Sequence, residues 1–257
     1  MHNLSPELNI ALKAARAGAE IIRERYGKIP ETRLKAGSET LVTDTDIAAE
    51  KAILKVLREN SDYGIISEES GQTGIADGPQ WVVDPLDGTS NFARALPLFA
   101  VSVGLIHGSQ SLAGVIIDPV LQNEYYAEKG KGAYCNGERL KMPRFRKDYG
   151  INLFLNHGSC DKDKLKYAAV NERLACDYRL RKLGTTALEL CYVANGSFDG
   201  FICSGDELWD YAAGIVIATE AGCIFTNWQG NKWKRGENHL LFARPEIHEE
   251  LIAKLKG

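Results

Sequence analysis

The chain has 257 residues, of which 44% are hydrophobic and 25% charged, with a formal net charge of −3 and an isoelectric point near 6.0. That length allows one large or two modest domains with a sizeable core. The mildly acidic balance argues against direct nucleic-acid binding, which usually needs a basic face. No run of roughly 18 apolar residues is present that could span a bilayer, and the N-terminus lacks the pattern of a secretory signal. The six cysteines, Cys135, Cys160, Cys176, Cys191, Cys203 and Cys223, form no C-x-x-C pair, so a reduced, cytoplasmic protein is expected.

Ser5-Pro6-Glu7 reads as a helix start, with Ser5 as cap and Pro6 in the first turn. Leu8, Leu12, Ala15, Ala19 and Ile22 then recur at helical spacing up to Gly27. A polar loop is expected over residues 28–40, a short strand over 41–43 and a second helix over 45–58, with Ile47, Leu54 and Leu57 on its apolar face. A buried strand over 63–67 delivers Glu68 and Glu69. Residues 81–83 form another, ended by Pro85, which has no N–H to donate.

Residues 99–106, 112–117 and 124–127 then read as an antiparallel meander, and 130–137 as turn-rich. The charged stretch 141–148 is a candidate boundary, and its RFRK segment reads as a solvated loop. Beyond it, strands near 151–155, 178–182, 200–202 and 240–243 alternate with helices near 162–173, 185–194, 209–221 and 245–256. The expected division is 1–143, an α+β half with most of the metal ligands, and 144–257, an α/β half carrying Asp210 and the substrate-side residues.

Five carboxylates fall at the edges of these elements: Asp46, Glu68, Asp84, Asp87 and Asp210. Singly, each has an ordinary explanation. Asp46 and Asp210 suit helix N-termini, Asp84 and Asp87 suit a turn, and Glu68-Glu69 suits a solvated pair. Together they form an all-oxygen donor set, with no His or Cys at ligand spacing nearby, which favours a hard ion, Mg²⁺ or Mn²⁺. The Leu86 carbonyl falls between the two aspartates of one turn as a further oxygen. Gly88 lets backbone approach a ligand, and the amides that follow suit an anion. Cation ligands and an anion cradle in one turn imply a metal-bridged phosphate, with two ions roughly 3.5–4 Å apart clamping the attacking and leaving oxygens.

These residues resemble the inositol monophosphatase family of Mg²⁺-dependent, lithium-sensitive phosphatases. The resemblance runs through LVTDTD (41–46), SEES (67–70), WVVDPLDGTSNF (81–92), GKGAYCNG (130–137), LGTTALELCYVANGSFDG (183–200) and WDYAAGIVIATEAG (209–222). It implies an α/β (α+β) fold layered α-β-α-β-α and a homodimer. It also implies two Mg²⁺ ions, one on Glu68, Asp84 and the Leu86 carbonyl and one on Asp84, Asp87 and Asp210, with a third, weaker ion at Glu68. Gly88 and Thr89 amides would receive phosphate oxygens, beside Ser90. Thr89 paired with Asp46 would orient the attacking water, and Lys35 would sit on a mobile loop. Gly184-Thr185 and Gly158-Ser159 match segments beside the substrate.

The resemblance also has departures. Animal members carry an inositol-binding carboxylate seven residues before the helix aspartate; here that position is Cys203, a poor acceptor for a sugar hydroxyl, with Asp206 and Glu207 as possible replacements. Thr40, preceded by Glu39, stands where many relatives have an acid. The expected activity is hydrolysis of inositol monophosphate or a related polyol or sugar phosphate. The alternatives are 3′,5′-bisphosphate nucleotidase, NADP phosphatase and fructose-1,6-bisphosphatase activity. A non-catalytic role as a partner of the transcription or ribosome-assembly machinery is an alternative of another class.

Overall fold

A computed structural model describes residues 4–35, 40–75 and 77–256. The first helix, α1 (Pro6–Arg25), is capped by Ser5, whose hydroxyl accepts the Leu8 N–H at 3.1 Å, and it buries the stripe read from the sequence. Strands β1 (Thr32–Leu34) and β2 (Leu41–Thr43) pair antiparallel and lead into α2 (Asp44–Asn60). The loop expected over 28–40 therefore contains a strand. All three of its residues are exposed, so it carries no apolar alternation to mark it. Ile47 differs too: it is 40% exposed, while Ala49, Ile53, Leu54 and Leu57 form the buried stripe of α2.

Next come β3 (Gly64–Ser67), β4 (Gly71–Thr73), β5 (Gln80–Asp87) and a short helix, α3 (Thr89–Ala93). Strands β6 (Ala100–His107), β7 (Gln110–Asp118), β8 (Asn123–Glu128), β9 (Gly132–Cys135) and β10 (Glu138–Arg139) follow. The resulting eight-stranded sheet has the order β10-β9-β8-β7-β6-β5-β3-β4. All its pairings are antiparallel except β3 with β5. The meander is as expected, and the turn-rich segment 130–137 proves to hold β9.

The rest of the chain comprises β11 (Asn152–His157), α4 (Asp161–Leu174), β12 (Arg179–Arg181), α5 (Thr186–Ala194) and β13 (Gly200–Ser204), then α6 (Leu208–Ala221), β14 (Ile224–Asn227), β15 (His239–Ala243) and α7 (Pro245–Lys256). Its sheet has the order β12-β11-β13-β15-β14, with β11 parallel to β12 and β13.

Strand alternation sorts these elements into layers. On β7, Ala113, Val115 and Ile117 pack with α1 and α2, whereas Ile116 points into a core shared with α5, α6 and the inner residues Phe201 and Phe242 of the second sheet. The opposite residues of that sheet, Leu153, Ile202 and Leu241, pack with α4 and α7. The order is thus α-β-α-β-α.

A pair of glycines sets how α6 lies in the middle layer. Gly104 and Gly114 are directly opposed on β6 and β7. A Cβ on Gly114 would sit 2.5 Å from the Ala213 carbonyl oxygen, and one on Gly104 3.0 Å from the Ala213 nitrogen. The backbone of α6 therefore rests on the sheet. Ser111 fixes it along its axis by donating to the Ala212 carbonyl at 2.8 Å. A side chain at this seat must lift the helix that carries Asp210. Gly114→Val is expected to cost about 1–3 kcal/mol, the usual range for overpacking, read as a lower denaturation midpoint. A midpoint equal to wild type would show that α6 does not rest on this pair.

The outermost layer contains a buried imidazole. His248 on α7 is 5% exposed, with Nε2 3.0 Å from the Thr226 hydroxyl. Burial, opposed by Glu249, holds its pKa below the ordinary 6.5. The native state favours the neutral ring, so the unfolded chain binds a proton first as the pH falls. Stability tied to this group is intact above about pH 6.5 and is lost as the pH drops below it. The thermal midpoint of wild type should therefore fall more than that of His248→Gln between about pH 7.5 and about pH 5.5. Parallel pH profiles for the two proteins would refute this.

Candidate metal and phosphate site

Two residues three apart on a regular strand face opposite sides. Asp84 and Asp87 nevertheless serve one cleft, because β5 slips in register against β6 between them: Asp84 pairs with Ser102 and Asp87 with Ala100. Two residues, Pro85 and Leu86, thus oppose one, Val101. This is a bulge, and Pro85 is suited to it because no ladder N–H is needed there. The Asp84 carboxylate accepts the Leu86 N–H at 2.9 Å, which steadies the bulge from within.

Asp210 comes from the first turn of α6, where it accepts the Glu207 N–H at 2.7 Å as part of a capping box. Ligand oxygens of Asp84, Asp87 and Asp210 lie within 4.8 Å of one another. Burial and the charges of Glu68, Asp87 and Asp210 push Asp84 well above the usual carboxylate range. Asp210 is raised in the same way, by burial and then Asp206, Asp87 and Glu68. Asp87 is pushed up to about 7 by burial, against the opposing pull of the Ala187 N–H and the Thr185 hydroxyl. A cation would relieve all three at once. The donors are all oxygen, the set that hard divalent ions prefer. Asp84, Asp87 and Asp210 can therefore hold a metal ion.

Glu68 stands beside this trio, since β3 runs parallel to β5 and the two strands end side by side. Its N–H donates to the Val83 carbonyl at 3.1 Å. Its side chain, however, is ion-paired with Lys35 at 2.6 Å, and the same ammonium reaches Glu69 at 2.7 Å. Burial pulls the Lys35 pKa down, but the two glutamates outweigh it and hold it above the ordinary value. Glu68 thus shares the cleft with the three aspartates while its charge is matched by Lys35. Of the loop after Lys35, Glu39 lies outside the described residues, and Thr40 lines the cleft.

Thr89 opens α3. Its hydroxyl lies 2.8 Å from Asp46 Oδ1 and 3.0 Å from the Leu86 carbonyl oxygen. Asp46 Oδ2 accepts the Thr43 N–H at 2.8 Å, closing the capping box of α2. Asp46 therefore caps a helix and reaches Thr89, one oxygen for each. Burial raises its pKa, with hydrogen bonds from Thr43 and Thr89 opposing. Gly88, at φ 94°, could not carry a Cβ, which would lie 2.8 Å from the Leu98 carbonyl oxygen. Ser90 is exposed at the cleft.

Gly184 also lines the cleft. Thr185 is 1% exposed; it donates to Asp87 Oδ2 at 2.8 Å, alongside the Ala187 N–H at 2.6 Å. It holds a candidate ligand rather than facing open space. Cys203 departs from expectation. It is fully buried in the middle-layer core, with its thiol beside the Asp206 carboxyl, and it is not among the residues lining the cleft. Gly158 and Ser159 are not among the lining residues either; a Cβ on Gly158 would meet the Gly205 carbonyl oxygen at 2.2 Å.

Other residues of the site were not singled out from the sequence. Glu50, 7% exposed, accepts the N–H groups of Glu69 and Ser70 at 3.2 and 3.0 Å and so braces the turn that presents Glu68. An acid one helical turn after Asp46, within a buried stripe, was the signal for it. Arg94 lines the cleft and donates to the Ser90 carbonyl at 3.0 Å. Asn91 ties α3 to the Leu183 carbonyl at 2.8 Å.

Comparison with known proteins identifies the family. The family model for the inositol monophosphatase family matches residues 3–257. The Nus factor SuhB of Pasteurella multocida is 36% identical over 260 residues, which span 98% of this chain and 97% of that protein. The fructose-1,6-bisphosphatase/inositol-1-monophosphatase of Aquifex aeolicus is 34% identical over 244 residues, 88% of this chain and 87% of that one. Among solved structures, extragenic suppressor protein suhB from Bartonella henselae superimposes with a TM-score of 0.90 at 31% identity, covering 98% of this chain and 99% of that one. The Thermotoga maritima IMPase gives 0.86 at 28% identity, with coverages of 98% and 97%. From sequence and fold alike, the chain belongs to the inositol monophosphatase family.

Proposed function

We propose that the protein is a divalent-metal-dependent phosphomonoesterase of a small polyol or sugar phosphate, with inositol monophosphate as the reference substrate. The observation that carries this reading is the convergence in one cleft of the Asp84, Asp87 and Asp210 carboxylates with the Gly88-Thr89 turn and the Thr89–Asp46 pair. Glu68, Asp84 and the Leu86 carbonyl would hold one Mg²⁺ or Mn²⁺ ion and Asp84, Asp87 and Asp210 a second, with a weaker third at Glu68. Bound there, such ions supply an activated water and charge neutralisation at the leaving oxygen.

The remaining work falls to the chain. The first N–H groups of α3 have no carbonyl behind them within the helix and face a phosphate oxygen naturally. The Thr89 hydroxyl directs its hydrogen to Asp46, leaving its lone pairs to orient a water. Thr185 and Ala187 keep Asp87 in place. The name of the Aquifex aeolicus relative, which joins a sugar bisphosphatase to an inositol monophosphatase, supports a polyol or sugar substrate class. We also propose that the protein is a cytoplasmic homodimer and that each chain divides into a half over 1–143 and a half over 144–257. Among the described residues no helix is long and apolar enough to cross a membrane.

A second reading rests on the name Nus factor carried by the relative from Pasteurella multocida. On that reading the protein is a partner of the transcription machinery. Binding of RNA polymerase by Asp84→Asn protein, with no phosphate release by wild type, would place this reading first.

The direct test is a phosphate-release screen with Mg²⁺ over inositol, glycerol, sugar and nucleotide phosphates. Asp84→Asn is expected to lower turnover on the best substrate by about 10³-fold, a loss of about 4 kcal/mol in transition-state stabilisation. Undiminished turnover would rule the site out.

A second expectation concerns stability. Removing one of the crowded charges should raise the unfolding temperature of Asp84→Asn above that of wild type in EDTA. Mg²⁺ at about 100 times its Kd should stabilise wild type by about 2.7 kcal/mol and the variant by far less. Equal responses to Mg²⁺ would contradict the assignment of Asp84 as a ligand.

A further inference from the structure

We propose that Glu189 is a positioning residue of this site: its buried carboxyl locks the 183–187 turn so that Thr185 and Ala187 hold Asp87 in place. The inference rests on Asp87 being a metal ligand, as assigned above.

Glu189 is fully buried in α5, flanked by Leu188, Leu190 and Cys191, each 1% exposed or less. A carboxyl in such a place is costly unless its oxygens are occupied. Both are. Oε1 accepts the Leu183 N–H and Oε2 the Asn156 amide, each at 2.5 Å. No lysine or arginine forms an ion pair with it among the described residues. Burial pushes the carboxyl up to about 8, with the Leu183 N–H opposing. Glutamine keeps an oxygen for the Leu183 N–H and turns an NH2 toward Asn156, whose Oδ1 has no other partner among the described residues.

What Glu189 grips is the segment the site depends on. Leu183 accepts Asn91 through its carbonyl, which joins the turn to α3 and hence to Thr89. Gly184, at φ +78°, is the bend. Thr185 and Ala187 then place two donors on one oxygen of Asp87. Asn156, 3% exposed on β11, also donates to the Thr186 hydroxyl at 3.2 Å, so strand, turn and helix start are cross-tied through one carboxyl. Glu189 touches none of the cleft and acts only through these neighbours. Outer residues of this kind commonly change metal affinity or activity by 10–100-fold.

The test titrates Mg²⁺ alone into wild type, Glu189→Gln, Glu189→Leu and Asn156→Ala by calorimetry, with unfolding in EDTA measured for each. Glu189→Leu is expected to weaken Mg²⁺ binding by about 10–100-fold, and Asn156→Ala to weaken it by a smaller factor. Glu189→Gln, which still accepts the Leu183 N–H, should keep binding within about threefold of wild type. In turnover, the loss in Glu189→Leu should appear as a higher Mg²⁺ requirement, with kcat recovering at saturating metal. If Glu189→Leu does not fold, Asn156→Ala decides. Wild-type Mg²⁺ affinity in a folded Glu189→Leu or Asn156→Ala protein overturns the inference alone. So does a Glu189→Gln protein as impaired as Glu189→Leu. Absence of Mg²⁺ binding and of phosphate release in wild type overturns the functional reading and the inference together.

Discussion

Like charge crowded at one point is the constraint around which the rest of this structure is arranged. Two carboxylates 4 Å apart repel by about 4 kcal/mol at an effective dielectric of about 20, and here three place ligand oxygens within 4.8 Å of one another. Left to relax, such groups would swing apart. Each is held by a different device: Asp84 by the N–H inside its own bulge, Asp87 by the start of α5, and Asp210 by a capping box on a helix seated against glycine. Asp84 and Asp87 share one turn at the end of β5, whereas Asp210 comes from α6, far along the chain. Only a stiff scaffold of two sheets with helices between them can bring them together and keep them there.

The same logic explains the many buried acids that bind no cleft atom. Glu50 and Glu189 each use a carboxyl to gather N–H groups of a neighbouring turn, and each turn delivers a residue of the site. Irregular backbone near a cleft leaves N–H groups without ladder partners. A carboxyl is an acceptor strong enough to satisfy them at distance. Acidity in this protein thus has two uses: a cluster of like charges at the centre, and single acids that brace the turns around it.

What could be read from the sequence was information carried by residues close together in the chain. Asp84, Asp87, Gly88 and Thr89 belong to one turn, so their shared chemistry was visible before any fold was known. The helices were legible because Ser5 caps one and apolar residues recur along it at a regular period. Asp46 was legible twice, as a cap and as a candidate site residue, and the two readings turn out to be compatible because its two oxygens divide the tasks. The bulge between Asp84 and Asp87 was not legible, because it exists only in the pairing of β5 with β6. Strand β1, with every residue exposed, has no pattern to find. Cys203 shows the limit of counting along the chain: its position was identified, but the direction of its side chain depends on the register of β13.

The seat of α6 has a consequence for how the chain is made. Ser111 and Ala212, which meet there, are 101 residues apart. During synthesis from the N-terminus, the meander that ends at β10 is complete long before its covering helix emerges. Its inner face, with Ile116, Tyr125 and Ala127, then has no partner within the finished segment. Contacts of such long range close slowly, and an apolar sheet face awaiting cover is prone to association with other chains. The paired glycines that let helix and sheet approach so closely thus make the nascent sheet dependent on chain not yet synthesised.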